Sequence, residues 1–131
     1  MTAVRHEHRL TGVSPDLVAV VRRAAEIMPI TVIEGVRTAK RQAELYAQGR
    51  NGDPRPIVTW TMASKHITGQ AVDIGPHPLD WNDRKAFLAL AGAMFAAAQS
   101  LGVRIRWGGD FDMDGKIMER GEADLVHFET V

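Results

Sequence analysis

His66, Asp73 and His127 are the residues of this sequence whose types could do chemistry at a single point. Two imidazoles and one carboxylate are a common ligand set for a catalytic zinc ion, and they leave a fourth position for water. Such a site keeps a net charge of about +1, which lowers the pKa of that water towards ~7. A separate carboxylate must then take the water's proton and hand it to a leaving amine. Asp124, three residues before His127, is placed for that task at the entry to the same segment. A histidine and an aspartate in separate apolar segments could instead form a buried hydrogen-bonded pair, since buried polar groups need partners. The chain has no cysteine, which removes disulfides, thiolate ligands and cysteine nucleophiles together. Any metal must sit on histidine and carboxylate.

The elements that position these groups follow from spacing. His66 and Asp73 are seven residues apart, too far for a pair on one helix face and suited to a loop feeding a strand. Gly69 and Ala71 are small, which lets the backbone fold close to whatever the two polar groups share. Asp73 stands between Val72 and Ile74, so its side chain points away from two apolar neighbours. Residues 70–74 are therefore predicted to form a short strand, and residues 125–129, which carry His127, another.

Around these strands, Ser14-Pro15-Asp16 predicts a helix start: an N-cap, a proline in the first turn and an acid near the positive end of the dipole. Leu17, Val20, Val21, Ala24, Ile27 and Met28 recur at helical spacing, and Pro29 marks the stop. Residues 30–34 are β-branched and short, a strand leading into Gly35. Thr38 caps a second helix to about Gln48, ended by Gly49, and residues 51–56 are loop. A turn-rich stretch covers 75–82. Asp83 then opens the longest helix, with a stripe of Phe87, Leu90, Ala91, Met94, Phe95 and Ala98, ending near Gly102. Val103, Ile105 and Trp107 alternate with Arg104 and Arg106, a strand with one wet face. Without a repeated βαβ rhythm, the pattern predicts an α+β fold: a small antiparallel sheet packed with about three helices, as one domain over 1–131.

Composition agrees with a globular chain. Of 131 residues, 45% are apolar and 24% charged. Sixteen basic and sixteen acidic residues cancel, so no bulk field favours nucleic acid or an anionic membrane. Residues 1–10 are polar and lack the apolar core of a secretory signal. The longest apolar run, 86–98, is too short to span a bilayer. Synthesis in a cytoplasm without membrane insertion is expected, and action elsewhere would require release by another agent.

The pattern Ser64-x-His66-x-x-Gly69-x-Ala71-x-Asp73, followed by Asp124-x-x-His127-x-Glu129, resembles the zinc peptidases of the D-alanyl-D-alanine carboxypeptidase and L-alanyl-D-glutamate endopeptidase family. It is most similar to the single-domain phage endolysins of the endopeptidase branch. The likeness extends through Gly35-Val36-Arg37-Thr38 and Gln42, Asp80-Trp81-Asn82-Asp83, and Trp107-Gly108-Gly109. It implies zinc on His66, Asp73 and His127, with Asp124 as general base and acid. The carboxypeptidase branch usually has glutamate at the base position, and the aspartate here resembles the endolysins. The resemblance further implies that Arg37 stabilises the oxyanion or holds a substrate carboxylate. Read without it, Arg37 is a surface arginine before a helix. Ser64 and Gln42 are expected to bind substrate, unless Ser64 instead orients the His66 loop. Glu129 lies on the same strand face as His127 and either supports it from behind or is solvated.

The implied activity is hydrolysis of the L-alanyl-D-glutamate bond in the stem peptide of bacterial peptidoglycan. A monomer is expected, made in the host cytoplasm without a signal peptide and acting on the periplasmic wall after holin-type release. Two other readings compete: a D,D-carboxypeptidase or dipeptidase acting on D-Ala-D-Ala termini, and a non-catalytic zinc-containing module that holds wall peptides. The carboxylate at Asp124 argues against the last.

Asp110, Asp112, Asp114 and Gly115 reproduce the first half of a calcium loop, with oxygen ligands at alternate positions and then a glycine turn. Where that pattern wants a bidentate glutamate the chain has Gly121, flanked by Glu119 and Glu122. The likeness to phage endopeptidases with a regulatory calcium loop favours calcium here; the alternative is a solvated acidic turn balanced by Lys116, Arg120 or Arg106. His6 and His8 are expected to be solvated and His77 a loop residue. Trp60, Trp81 and Trp107 read as core or rim packing.

Overall fold

Side-chain caps start the helices where the sequence places them. The computed structural model describes residues 4–57, 65–110, 113 and 124–131. Helix α1, Pro15–Ala24, is capped by the Ser14 hydroxyl, which accepts from the Leu17 amide at 3.3 Å. Helix α2, Ala39–Ala47, is capped in the same way by Thr38. Helix α3, Arg84–Leu101, is capped by Asp83 and stops at Gly102, whose φ of +70° is left-handed. Ala93 and Ala97 join Leu90, Met94 and Ala98 on the buried face of α3. These small residues let α3 lie close against α1 and the sheet.

Two residues assigned to apolar stripes do not belong there. Phe95 is 40% exposed, because the alanines rotate the buried face of α3 away from it. Ile27 is 60% exposed, because α1 ends at Ala24, before the helical spacing can carry residue 27 inward.

Among the described residues, five strands form one sheet: β1 (Val4–Arg5), β2 (Ile30–Glu34), β3 (Ala71–Pro76), β4 (Ile105–Gly108) and β5 (Asp124–Thr130), in the order β1-β2-β3-β5-β4. All neighbours pair antiparallel except β1 with β2. The fold is thus α+β with a mostly antiparallel sheet, as expected. The parallel edge strand β1 was not anticipated, since two residues are too few to show a period. Strand β3 runs through Gly75 and Pro76, so the turn-rich stretch begins later than the sequence suggests, while β4 omits Val103. Trp107 is buried and stacks on Phe128, whereas Trp81 is 62% exposed. Trp60 lies outside the described residues. Among the described residues, no helix is long and apolar enough to cross a membrane.

Register is what matters for function. Asp73 on β3 faces His127 on β5. On its other side Asp73 faces Glu34, because a bulge between Val32 and Glu34 makes two residues of β2 oppose one of β3. Glu34, Asp73 and His127 therefore form a row across three strands. Val72, Ile74 and Phe128 are fully buried in the core.

Candidate metal centre

His66 joins this row from the loop before β3. The loop is docked tightly: Gly69 accepts from the Ser14 amide at 2.8 Å, and His66 accepts from the Arg37 amide at 2.9 Å. Gly69 has φ +76°, and a Cβ there would stand 2.5 Å from the Gly12 carbonyl oxygen. The need for a small residue at this position is met by backbone contact.

The two imidazoles turn opposite nitrogens to the centre. The Nδ1 of His66 lies 2.9 Å from the Gly35 carbonyl oxygen. That oxygen can only accept, so Nδ1 carries the proton and Nε2 faces Asp73 Oδ1 at 3.2 Å. His127 is reversed. Its Nε2 is 2.8 Å from the Glu129 carboxylate, and its Nδ1 is 3.4 Å from the same Asp73 oxygen.

The ligand atoms of His66, Asp73 and His127 all lie within 4.8 Å of one another. An ion held tetrahedrally at ~2.0–2.1 Å separates its ligand atoms by roughly 3.3 Å, close to the 3.2 and 3.4 Å seen here. Asp73 Oδ1 is buried and has no hydrogen-bond partner among the described residues. Leaving a buried carboxylate oxygen so placed is expensive, and a cation bound between the three groups would satisfy it. The residues therefore fit a metal ion, and their two nitrogens and one oxygen form the donor set expected for zinc rather than for oxygen-seeking calcium or magnesium.

The electrostatics fit as well. Burial alone would raise the Asp73 carboxyl, but His127 and His66 against it hold it well below the usual carboxylate range. Burial would lower His127, yet its contacts with Asp73 and Glu129 prevail and raise it. Asp124, on the first residue of β5, reaches solvent, but protein packed on its inner side, and then the Asp73 charge, push its carboxyl up. Gly108 faces Asp124 in the register, and a Cβ there would come within 2.0 Å of the Asp124 carbonyl oxygen.

Behind the cluster stand two polar networks. The Arg37 guanidinium donates to both Glu34 oxygens at 2.7 and 2.9 Å and to Gln42 Oε1 at 2.6 Å. Its Nη2 lies 3.9 Å from Asp73 Oδ2, and its side chain is 10% exposed. Arg37 is thus an inward-facing residue rather than a surface one, and Gln42 beneath it is completely buried, with no surface to offer a substrate. Glu129 is buried, not solvated; its second oxygen takes Lys65 Nζ at 2.9 Å, while the same ammonium donates to the Thr130 carbonyl at 2.8 Å. Glu34 and Lys65 were not singled out in the sequence. Lys65 adjoins His66, a weak signal, and Glu34 reaches the site through a bulge that leaves no local trace.

Ser64, Asp112, Asp114, Lys116, Glu119, Arg120, Gly121 and Glu122 lie outside the described residues. Asp110 forms a bridge with Trp107 just after β4. Arg106 approaches Glu129 at 3.9 Å. His6 and His8 are exposed, and His77 is a loop residue 3.2 Å from the Thr31 hydroxyl.

Fold and cluster together define the class: a small α+β protein built around a His-Asp-His centre that could hold a metal ion, with a carboxylate at its mouth. The chain matches the model of the phage L-alanyl-D-glutamate peptidase family over residues 2–131, and it belongs to that family. It is 37% identical over 133 residues to the L-alanyl-D-glutamate peptidase of Escherichia phage T5, covering 95% of this chain and 93% of that protein. It is also similar to the crystal structure of the Serratia marcescens L-Ala D-Glu endopeptidase ChiX, with a TM-score of 0.77 and 32% identity, covering 97% of this chain and 86% of that one.

Proposed function

We propose that this chain is a zinc-dependent peptidase that hydrolyses the L-alanyl-D-glutamate bond in the stem peptide of bacterial peptidoglycan. The observation that carries this reading is the convergence of His66 Nε2, His127 Nδ1 and Asp73 Oδ1 on one point in a chain of this peptidase family. Bound there, zinc would supply a Lewis acid and make water acidic enough to react near neutral pH.

The protein's own groups do the rest. Asp124 takes the proton of the attacking water and delivers it to the departing amine of D-glutamate. In the metal-free protein, burial and then the Asp73 charge raise its carboxyl, and a carboxylate is the kind of group that can carry a proton between water and amine. Glu129 accepts from His127 Nε2 and so keeps Nδ1 turned to the centre. Arg37, clamped by Glu34, stands beside Asp73 and balances the two carboxylates that the register sets next to each other. The names of the T5 and Serratia relatives favour the internal L-alanyl-D-glutamate bond over a terminal D-alanine. Synthesis in a host cytoplasm followed by holin-type release to the wall fits that substrate.

Purified peptidoglycan provides the test. Chelation should abolish release of soluble peptide, and one equivalent of zinc should restore it. Undiminished cleavage by protein shown to be metal-free would sink the reading.

A further inference from the structure

The bond proposed above carries a charge that the metal cluster does not recognise. D-Glutamate in a stem peptide continues through its γ-carboxyl, so its α-carboxylate stands free beside the scissile nitrogen. The sequence offered Arg37 as partner for such a carboxylate. That guanidinium is already engaged by Glu34 and Gln42 and is 10% exposed. The substrate's anion needs another cation, one that faces the cleft.

A groove of about 360 Å³ opens beside Asp124, between the start of β5 and the start of α3. Trp81 lines it, stacked on Phe87 with ring centres 5.8 Å apart, yet it keeps 62% of its surface in solvent. An indole fixed on one face and open on the other is suited to cover the aliphatic part of a ligand. Arg84 lines the same groove from the first turn of α3, directly after the Asp83 cap. The neighbouring acids are engaged locally: Asp80 accepts from the Asn82 amide at 2.9 Å and Asp83 from the Ala86 amide at 3.1 Å. Among the described residues, the Arg84 guanidinium has no ion pair. A base, an open indole and an uncommitted guanidinium thus share one groove.

We propose that Arg84, with Trp81 as the apolar wall, forms the subsite for the free α-carboxylate of the residue on the leaving side of the scissile bond. The inference rests on the peptidase reading above and adds its specificity determinant. A planar guanidinium can take a carboxylate with two parallel hydrogen bonds, which an α-carboxamide cannot match.

The test uses two synthetic stem peptides that differ only there, one with D-glutamate and one with D-isoglutamine. The zinc-loaded wild type should cleave the carboxylate peptide with kcat/KM roughly ten- to hundredfold above the amide, mainly through KM. Arg84→Gln should bring the ratio close to one, and Arg84→Lys should restore part of it. Equal cleavage of both peptides by the wild type would overturn the subsite, and this comparison requires no variant to fold. So would a full preference retained in Arg84→Gln. A wild type that cleaves neither peptide would overturn the peptidase reading itself.

Discussion

Replacing Glu129 with alanine should weaken metal binding without touching a ligand. Glu129 is 4% exposed, and its two oxygens hold His127 Nε2 at 2.8 Å and Lys65 Nζ at 2.9 Å. Lys65 would suffer little, because it keeps the Thr130 carbonyl and its side chain is 38% exposed. The cost falls on His127, whose ring is 12% exposed and would lose the carboxylate that fixes its tautomer. Loss of the acceptor for a buried donor costs about 1–3 kcal/mol. Loss of a partner behind a metal-binding histidine typically weakens affinity by about 10–100-fold, or roughly 1.4–2.7 kcal/mol. The two magnitudes agree. Glu129→Gln keeps an acceptor oxygen at similar reach and should lose less, about tenfold or under. Competition with a chromophoric chelator would measure zinc affinity for all three proteins. Wild-type affinity in the alanine variant would refute the orienting role, and equal losses in both variants would show that charge matters and the tautomer does not.

Asp124→Asn should lower the cleavage rate by about 10²–10⁴-fold while zinc affinity stays within a few-fold; near-normal turnover would reassign the base. Glu34→Ala removes both acceptors that clamp Arg37 and should destabilise the metal-free protein by about 1.5–3 kcal/mol in denaturant unfolding, whereas an unchanged midpoint would show that the clamp contributes nothing. The pH dependence of stability should reverse with metal. His127 has a raised pKa in the metal-free protein. Its contribution is therefore complete below its unfolded value of about 6.5 and is lost as pH rises through the folded value. Metal requires His127 Nδ1 without its proton, so zinc-loaded protein should instead gain stability as pH rises through that window. Thermal melts with chelator and with zinc would show opposite slopes, and slopes of the same sign would contradict this assignment.

Local signals were legible and long-range ones were not. Ser14, Thr38 and Asp83 cap helices as their types dictate, and Gly102 ends α3, because capping depends on a few adjacent residues. His66 and Asp73 could be linked because loop spacing and strand alternation are local, whereas His127 joined them only through the chemistry of two imidazoles with one carboxylate and the family resemblance. The pairing of Asp73 with His127 and Glu34 is set by the register of three strands distant in sequence, and the bulge in β2 has no signature of its own. Arg37 was recognised as important, but its partners were not: only the folded chain turns it onto Glu34 and Gln42, with little of its side chain left exposed. The burial of Glu129 likewise depends on Lys65 and on β4 beside it, neither of which is near in sequence. Phe95 shows the same limit within one helix, since the alanines around it decide which face is buried.

Mass spectrometry of the peptides released from purified peptidoglycan by the zinc-loaded protein decides which bond is cut. Stem peptides with a new N-terminal D-glutamate and glycan strands that retain L-alanine are expected. Release of terminal D-alanine alone, or intact stem peptides after prolonged digestion, would contradict it.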